Sequence, residues 1–418
     1  MKNFITFILL FSISLGLMSQ GLGFNNTKYS EYEVFETESL GFSNLPSSSS
    51  LRKYSPSVLS QDGNSCVGFA TAYSALSIMH NYKLGVTNKI GKNFSAFDPY
   101  FLYSILTSES DWSCEETTYM YYGLDALKKF GCKKYWAFPL LDCETKAVEK
   151  NLWASKPYRI KEFYILPKDK IKQKSFVLEK LKSAVVAVMP PVIGIKTTNS
   201  MAGKGYSDGT VGNDGLWKPN YYDKTIGGHA VCIVGYDDYK FGGSFEIMNS
   251  WGSDYGDDGY MWIKYDDLID VIGEAYFIEI YEPKQNLEIG CKLGNCETNY
   301  GHYTYSDFQE EGEYSNGGLN GFGIRTFQNA SLIGFFKDGT ANGLGYMYLK
   351  EENQLYKVSY KMGDVIDIEE LGFVEENLSE KEIDFDSYIQ NKSEKSLINI
   401  KEIDDEEFEK IQNIKTGK

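Results

Sequence analysis

The chain has 418 residues, enough for two or three domains, and its 42% hydrophobic and 24% charged content excludes wholesale disorder. Its net charge of -16 excludes a general attraction for phosphate backbones or anionic lipid. No local Lys/Arg cluster overturns this, so nucleic acid is not an expected partner.

Met1-Lys2-Asn3 is followed by an almost wholly apolar run, Phe4 to Leu17, and then by polar and small residues. This pattern predicts a signal peptide over 1–19 and an exported protein, secreted or periplasmic, with no transmembrane anchor once the signal is removed. Residues 20–50 are polar and irregular and end in Ser47-Ser48-Ser49-Ser50, which reads as a linker or short arm.

Residues 51–283 are expected to form the first domain. A helix is predicted from Val67 to about Lys83, since Phe69, Tyr73, Leu76 and Met79 step by three and four. A second is predicted over Asp98 to Thr107, with Asp98 as cap and Pro99 at its first position. A third runs through Met120 to Phe130 and stops at Gly131, and Val177 to Ser183 suggests a fourth. Later stretches read as strand: Ala184–Val188, Pro191–Ile195, Ala230–Tyr236, Ser244–Asn249 and Gly259–Tyr265. Helices first and antiparallel strands later predict an α+β domain with segregated layers.

The chemistry-bearing residues fall in three segments. Cys66 lies where the first helix begins, and the unpaired N–H groups of a helix N-terminus favour thiolate. The chain has three histidines, and only His229 is well placed as a base for that sulfur. It follows Gly227-Gly228 and enters an apolar strand. His80 is expected at the surface and His302 lies in a later repeat. Asn249 ends a strand in Met248-Asn249-Ser250-Trp251-Gly252, where its amide can accept from the imidazole and Trp251 can shield the bond.

Taken together these segments resemble the papain-like (C1) cysteine peptidases. The resemblance rests on the order Cys66, His229, Asn249, on the Gly228-His229-Ala230 strand and, most specifically, on Asn249-Ser250-Trp251-Gly252. It implies a two-lobed domain, one lobe helical and one antiparallel β. It also implies a Cys-His-Asn peptidase acting through a thioacyl-enzyme, with Gln61 joining the Cys66 N–H as oxyanion donors. Gln61 stands five residues before the Cys, where the family usually has six. Gly63 replaces a frequent cysteine, Val67 replaces a frequent aromatic, and no long helical pro-region is recognisable. The expected partner is a peptide or protein substrate, without cofactor or metal. Asp237-Asp238 and Asp257-Asp258 read as turn residues rather than calcium ligands. The alternatives are a catalytically silent binding protein of this fold and an acyl transferase.

Seven cysteines permit up to three disulfides if Cys66 is free. Cys291 and Cys296 are close enough for a local loop, and Cys232 reads as a buried thiol. Residues 288–365 carry an internal repeat. Gly312, Tyr314, Gly317, Asn320, Gly321 and Gly323 recur 22 residues later as Gly334, Phe336, Gly339, Asn342, Gly343 and Gly345. Tyr360 to Gly363 is a partial copy. These units resemble MORN repeats, which implies stacked β-hairpins and a possible protein contact. Residues 366–418 read as an acidic, solvated and partly disordered tail, with a helix over Glu406–Ile414 as the less favoured alternative.

Overall fold

The computed structural model describes residues 21–36, 44–87, 92–93, 95–108, 110–135, 158–202, 211, 214–219, 224–281, 289–298, 300–349 and 354–373. The expected signal peptide, residue Cys143 and the helix at Glu406–Ile414 lie outside them.

The first helix begins at Cys66 and runs in three parts: Cys66–Gly68, a π-helical Phe69–Leu76 and an α-helical Ser77–Leu84. Every residue from Ser65 to Asn81 is buried, as for a helix surrounded by protein on all sides. Gly85, at φ 69°, closes it in the left-handed conformation. The next helix, Pro99–Leu106, is capped by Asp98, whose Oδ1 accepts from the Tyr100 and Phe101 amides at 3.0 Å. Lys133 Nζ donates to the other oxygen at 2.7 Å, so this buried carboxylate has its counter-charge. A third helix spans Met120–Lys129. These three pack together as the helical layer.

The β layer contains β1 (Ser48–Ser50), β2 (Ile160–Ile165), β3 (Val192–Thr198), β4 (Leu216–Trp217), β5 (Thr225–Asp237), β6 (Ser244–Met248), β7 (Tyr260–Lys264) and β8 (Ile272–Ile280). Its strand order is β2-β8-β3-β5-β6-β7-β4, with β1 on β5, and only the short β4–β7 pairing is parallel. One continuous core of buried side chains joins the layers. The domain is therefore α+β, as the patterning predicts. No helix among the described residues is long and apolar enough to cross a membrane.

Three expectations are corrected. Ala184–Val188 is not a strand: it completes the helix Lys174–Val186 and the turn after it. Val177, Leu181, Ala184 and Val185 share one buried face, and that burial outweighs the β preference of the valines. His80 is not on the surface but only 5% exposed, beside the rings of Phe97 and Tyr158. The described parts of the arm at 20–50 are tied to the domain. Leu22 forms a bridge with Thr118, Asn26–Tyr29 is a helical turn with Tyr29 buried, and β1 pairs with β5. Cys66, Cys132 and Cys232 are free buried thiols, Cys291 is joined to Cys296, and Cys114 is also disulfide-bonded. With three of seven cysteines free, at most two bridges form rather than three.

The repeat segment builds a second antiparallel sheet in strict chain order: β9 (Gly290–Gly294), β10 (Tyr300–Thr304), β11 (Phe308–Ser315), β12 (Gly318–Phe327), β13 (Ala330–Lys337), β14 (Thr340–Leu349), β15 (Gln354–Lys361) and β16 (Asp364–Phe373). The last strand carries the sheet past residue 365, into the start of the expected tail. The 22-residue spacing has two causes. Asn316-Gly317 and Asp338-Gly339 have φ near 50° and 77°, the paired positive values that a tight hairpin turn requires. Gly312 faces Gly323 and Gly334 faces Gly345, and a Cβ on Gly312 or Gly334 would lie 2.5 or 2.8 Å from the partner's Cα.

Glu311 of β11 fastens this sheet to the first domain. Lys134 Nζ lies 3.2 Å from its carboxylate and His80 Nε2 3.5 Å, while His302 stands 3.6 Å away on the adjacent β10. Burial pulls His80 down to about 4, helped by the Lys134 charge and opposed by Glu311. The ring is therefore neutral, and Lys134 is the true ionic partner. Glu311→Ala strands the Lys134 charge, and stability falls by about 3 kcal/mol in urea unfolding; a change within experimental error refutes the fastening role. Between pH 6.5 and about 4 the unfolded chain takes up a proton at His80 that the folded chain refuses. Stability therefore declines as pH falls through that window, and the urea midpoint at about pH 4.5 lies below that at about pH 7.

Candidate active site

Cys66 is the first residue of its helix and is fully buried. Burial pushes its thiol up to about 11, against the pull of the Ala230, Gly21, Val67 and Cys66 amides. The Ala230 amide belongs to β5 and directly follows His229, so the helix start and this strand meet at the sulfur.

His229 faces Ile195 in the β3–β5 pairing and is fully buried. Its Nε2 lies 2.8 Å from Asn249 Oδ1. An amide oxygen only accepts, so Nε2 carries the proton and donates, which leaves Nδ1 as the basic nitrogen of the neutral ring. Nδ1 is buried and without a hydrogen-bond partner. Burial lowers the imidazole to about 4, and the Asn249 bond offsets part of that. Trp251 stacks on the ring with centroids 4.8 Å apart, and Tyr255 meets Trp251 edge-on. This cover keeps water from the His229–Asn249 bond. Asn249 follows β6, and its amide N–H donates to Gly259 O at 3.1 Å.

Gln61 lies on the loop before Cys66. Its backbone N–H donates to Ser250 O at 2.8 Å and its Oε1 accepts from Ser250 Oγ at 2.6 Å. Its Nε2 donates to Gly63 O at 2.9 Å. The structure thus brings Gln61 to the Asn249-Ser250 segment and Cys66 to the His229-Ala230 segment. Sequence reasoning missed Ser250, whose hydroxyl orients the Gln61 amide.

It also missed the segment that covers the site. Gly21 to Phe24 runs as a strap between the lobes. Leu22 N–H donates to Gly228 O at 3.1 Å, Gly23 N–H to Thr118 O at 2.8 Å, and Thr118 N–H to Gly21 O at 2.8 Å. The chain must be narrow here, since a Cβ on Gly21 would lie 2.1 Å from Asn64 Cβ. Gly21 and Leu22 are buried. The Gly21-Leu22-Gly23 pattern, one apolar anchor between two residues without side chains, was the available signal.

The arrangement sets a buried sulfur at a helix start, beside the strand that carries the imidazole, whose tautomer is fixed by a shielded amide. Asn249→Ala removes that fixation. In a chain whose Gly21–Phe24 segment is unseated by Leu22→Asp, the rate at which iodoacetamide labels Cys66 then falls by about tenfold or more; an unchanged rate sinks the orienting role.

Residues 107–276 match the papain family cysteine protease. The matched region contains His229 and Asn249 and begins after Gln61 and Cys66. An uncharacterized peptidase C1-like protein of Acanthamoeba polyphaga mimivirus is 32% identical over 93 residues, 22% of this chain and 28% of that protein. The chain thus spans under a third of the length of this curated relative. Among solved structures, xylellain, a cysteine protease from Xylella fastidiosa, aligns at 22% identity and TM-score 0.48 over 63% of this chain and 97% of its own. Digestive procathepsin L 3 of Tenebrio molitor larval midgut aligns at 15% identity and TM-score 0.44 over 63% and 77%.

Proposed function

We propose that the papain-family region at 107–276 and the helix begun by Cys66 together form a cysteine peptidase, held latent by its own N-terminal strap. The observation that carries this reading is the 2.8 Å His229–Asn249 bond beneath Trp251, with the Ala230 amide on the Cys66 sulfur.

The mechanism follows from which groups can hold a proton. Nδ1 of His229 takes the Cys66 proton, and Asn249 stabilises the resulting imidazolium by accepting from Nε2–H. The thiolate attacks a peptide carbonyl. The new oxyanion accepts from the Cys66 N–H and the Gln61 amide, each such donor being worth about 3 kcal/mol of barrier. His229 then protonates the leaving amine and activates the water that releases the acyl group.

With the strap in place, burial disfavours both the thiolate and the imidazolium. Departure of Gly21–Phe24 hydrates the site and lets the two charges form as a pair. A neutral latent pair and a charged working pair are therefore two states of one site. Export through the N-terminal apolar run belongs to this reading, and so does a MORN-like role for the second sheet as an appendage fixed through Glu311. The silent-binder alternative has no observation that favours it.

Thiol labelling tests both parts. An epoxysuccinyl reagent is expected to modify Cys66, and Cys66→Ala to abolish both labelling and peptide cleavage. Absence of labelling in folded, reduced, strap-released protein overturns the peptidase reading. Leu22→Asp unseats the strap by placing a charge in its apolar seat. The pH midpoint for labelling, near 11 in the intact chain, then moves toward neutrality, because the thiolate is no longer opposed by burial. A midpoint identical in both chains refutes latency by the strap.

A further inference from the structure

β16 ends the second sheet and pairs with β15 on one side, so its outer edge meets no strand among the described residues. A bare edge of this kind offers a row of backbone N–H and C=O groups ready to pair with another chain. Short strands and prolines commonly blunt such edges, but β16 is 10 residues long and holds no proline. Val365, Ile366 and Ile368 are 51%, 63% and 50% exposed, large apolar side chains held in water.

The register with β15 sorts the side chains of β16 onto two faces. Asp367 stands opposite Ser359 and Glu369 opposite Lys357, so both carboxylates lie on one face. Ile368 stands opposite Val358 and Val365 opposite Tyr360, on the other face. Val358 and Tyr360 belong to the buried core of the second sheet, so Val365 and Ile368 carry that core out to an edge where nothing covers it. The strand also carries Asp364 and Glu370, and it has no lysine or arginine. Two copies of this edge bring only like charges together, which disfavours pairing with a second copy of the chain.

We propose that the outer edge of β16 docks an extended segment of a protein partner in which Lys or Arg alternates with apolar residues. The segment adds one strand to the sheet. Its backbone pairs with the free edge, its basic side chains reach Asp367 and Glu369 on one face, and its apolar side chains cover Val365 and Ile368 on the other. The period of two that a strand imposes makes alternation the recognised pattern, because a uniformly basic segment sets charge against the apolar face. This inference concerns the second sheet and stands apart from the peptidase reading.

The test titrates the full chain into a fluorescein-labelled peptide, Lys-Val-Lys-Val-Lys-Val-Lys, and follows anisotropy at about 0.15 M salt. Saturable binding is expected, together with slowed amide exchange in β16. The same peptide with its backbone nitrogens methylated keeps the charge and cannot pair, and is expected to bind about tenfold or more weakly. Asp367→Lys combined with Glu369→Lys, both at exposed positions, is expected to weaken binding of the unmethylated peptide by a similar factor. Equal binding of the two peptides, or equal binding by the doubly substituted chain, reveals attraction to the net charge alone and overturns the proposal. Absence of binding overturns it too, as does dimerisation of the chain through β16 in sedimentation. If the doubly substituted chain does not fold, the comparison of the two peptides on the unaltered chain decides the outcome.

Discussion

The hydrogen bond from His229 Nε2–H to Asn249 Oδ1 decides which nitrogen of the imidazole is basic, and the chemistry of the site depends on that choice. The bond is strong because it is dry. Trp251 covers the ring, Tyr255 supports Trp251, and both histidine and asparagine sit in strands or strand ends fixed by the central sheet. The same dryness that strengthens the bond penalises charge on the ring and on the sulfur. The strap along Gly228 and Thr118 closes over the same site and adds to its dryness.

Much of this was legible in the sequence because the signals were local. A helix begun by a cysteine, a histidine behind two glycines and an asparagine before Ser250-Trp251-Gly252 each carry their geometry in a few residues. The Asp98-Pro99 start was equally readable, since cap and first turn are adjacent. The repeat was legible through glycines whose spacing is set by hairpin turns and by close cross-strand pairs.

What escaped was long-range. Nothing near His80 in the chain announces that Glu311, 231 positions later, brings a second sheet down on it. Val185 and Val186 read as strand by propensity, whereas the helix Lys174–Val186 is set by the face it buries. Residues 21–24 looked like linker because a segment lying in a cleft needs only narrowness and one anchor.

The second sheet is a ribbon in which each strand pairs only with its sequence neighbours, β9 through β16. Such a ribbon loosens from its ends inward, with no closing contact to make the loss all-or-none. Its distal end is β16, where the residues from Lys361 to Glu370 are exposed. The strand that holds Glu311 lies near the opposite end, against the first domain. Fraying therefore begins farthest from the anchor, and several hairpins can open and close while the joint between the two halves of the protein stays shut.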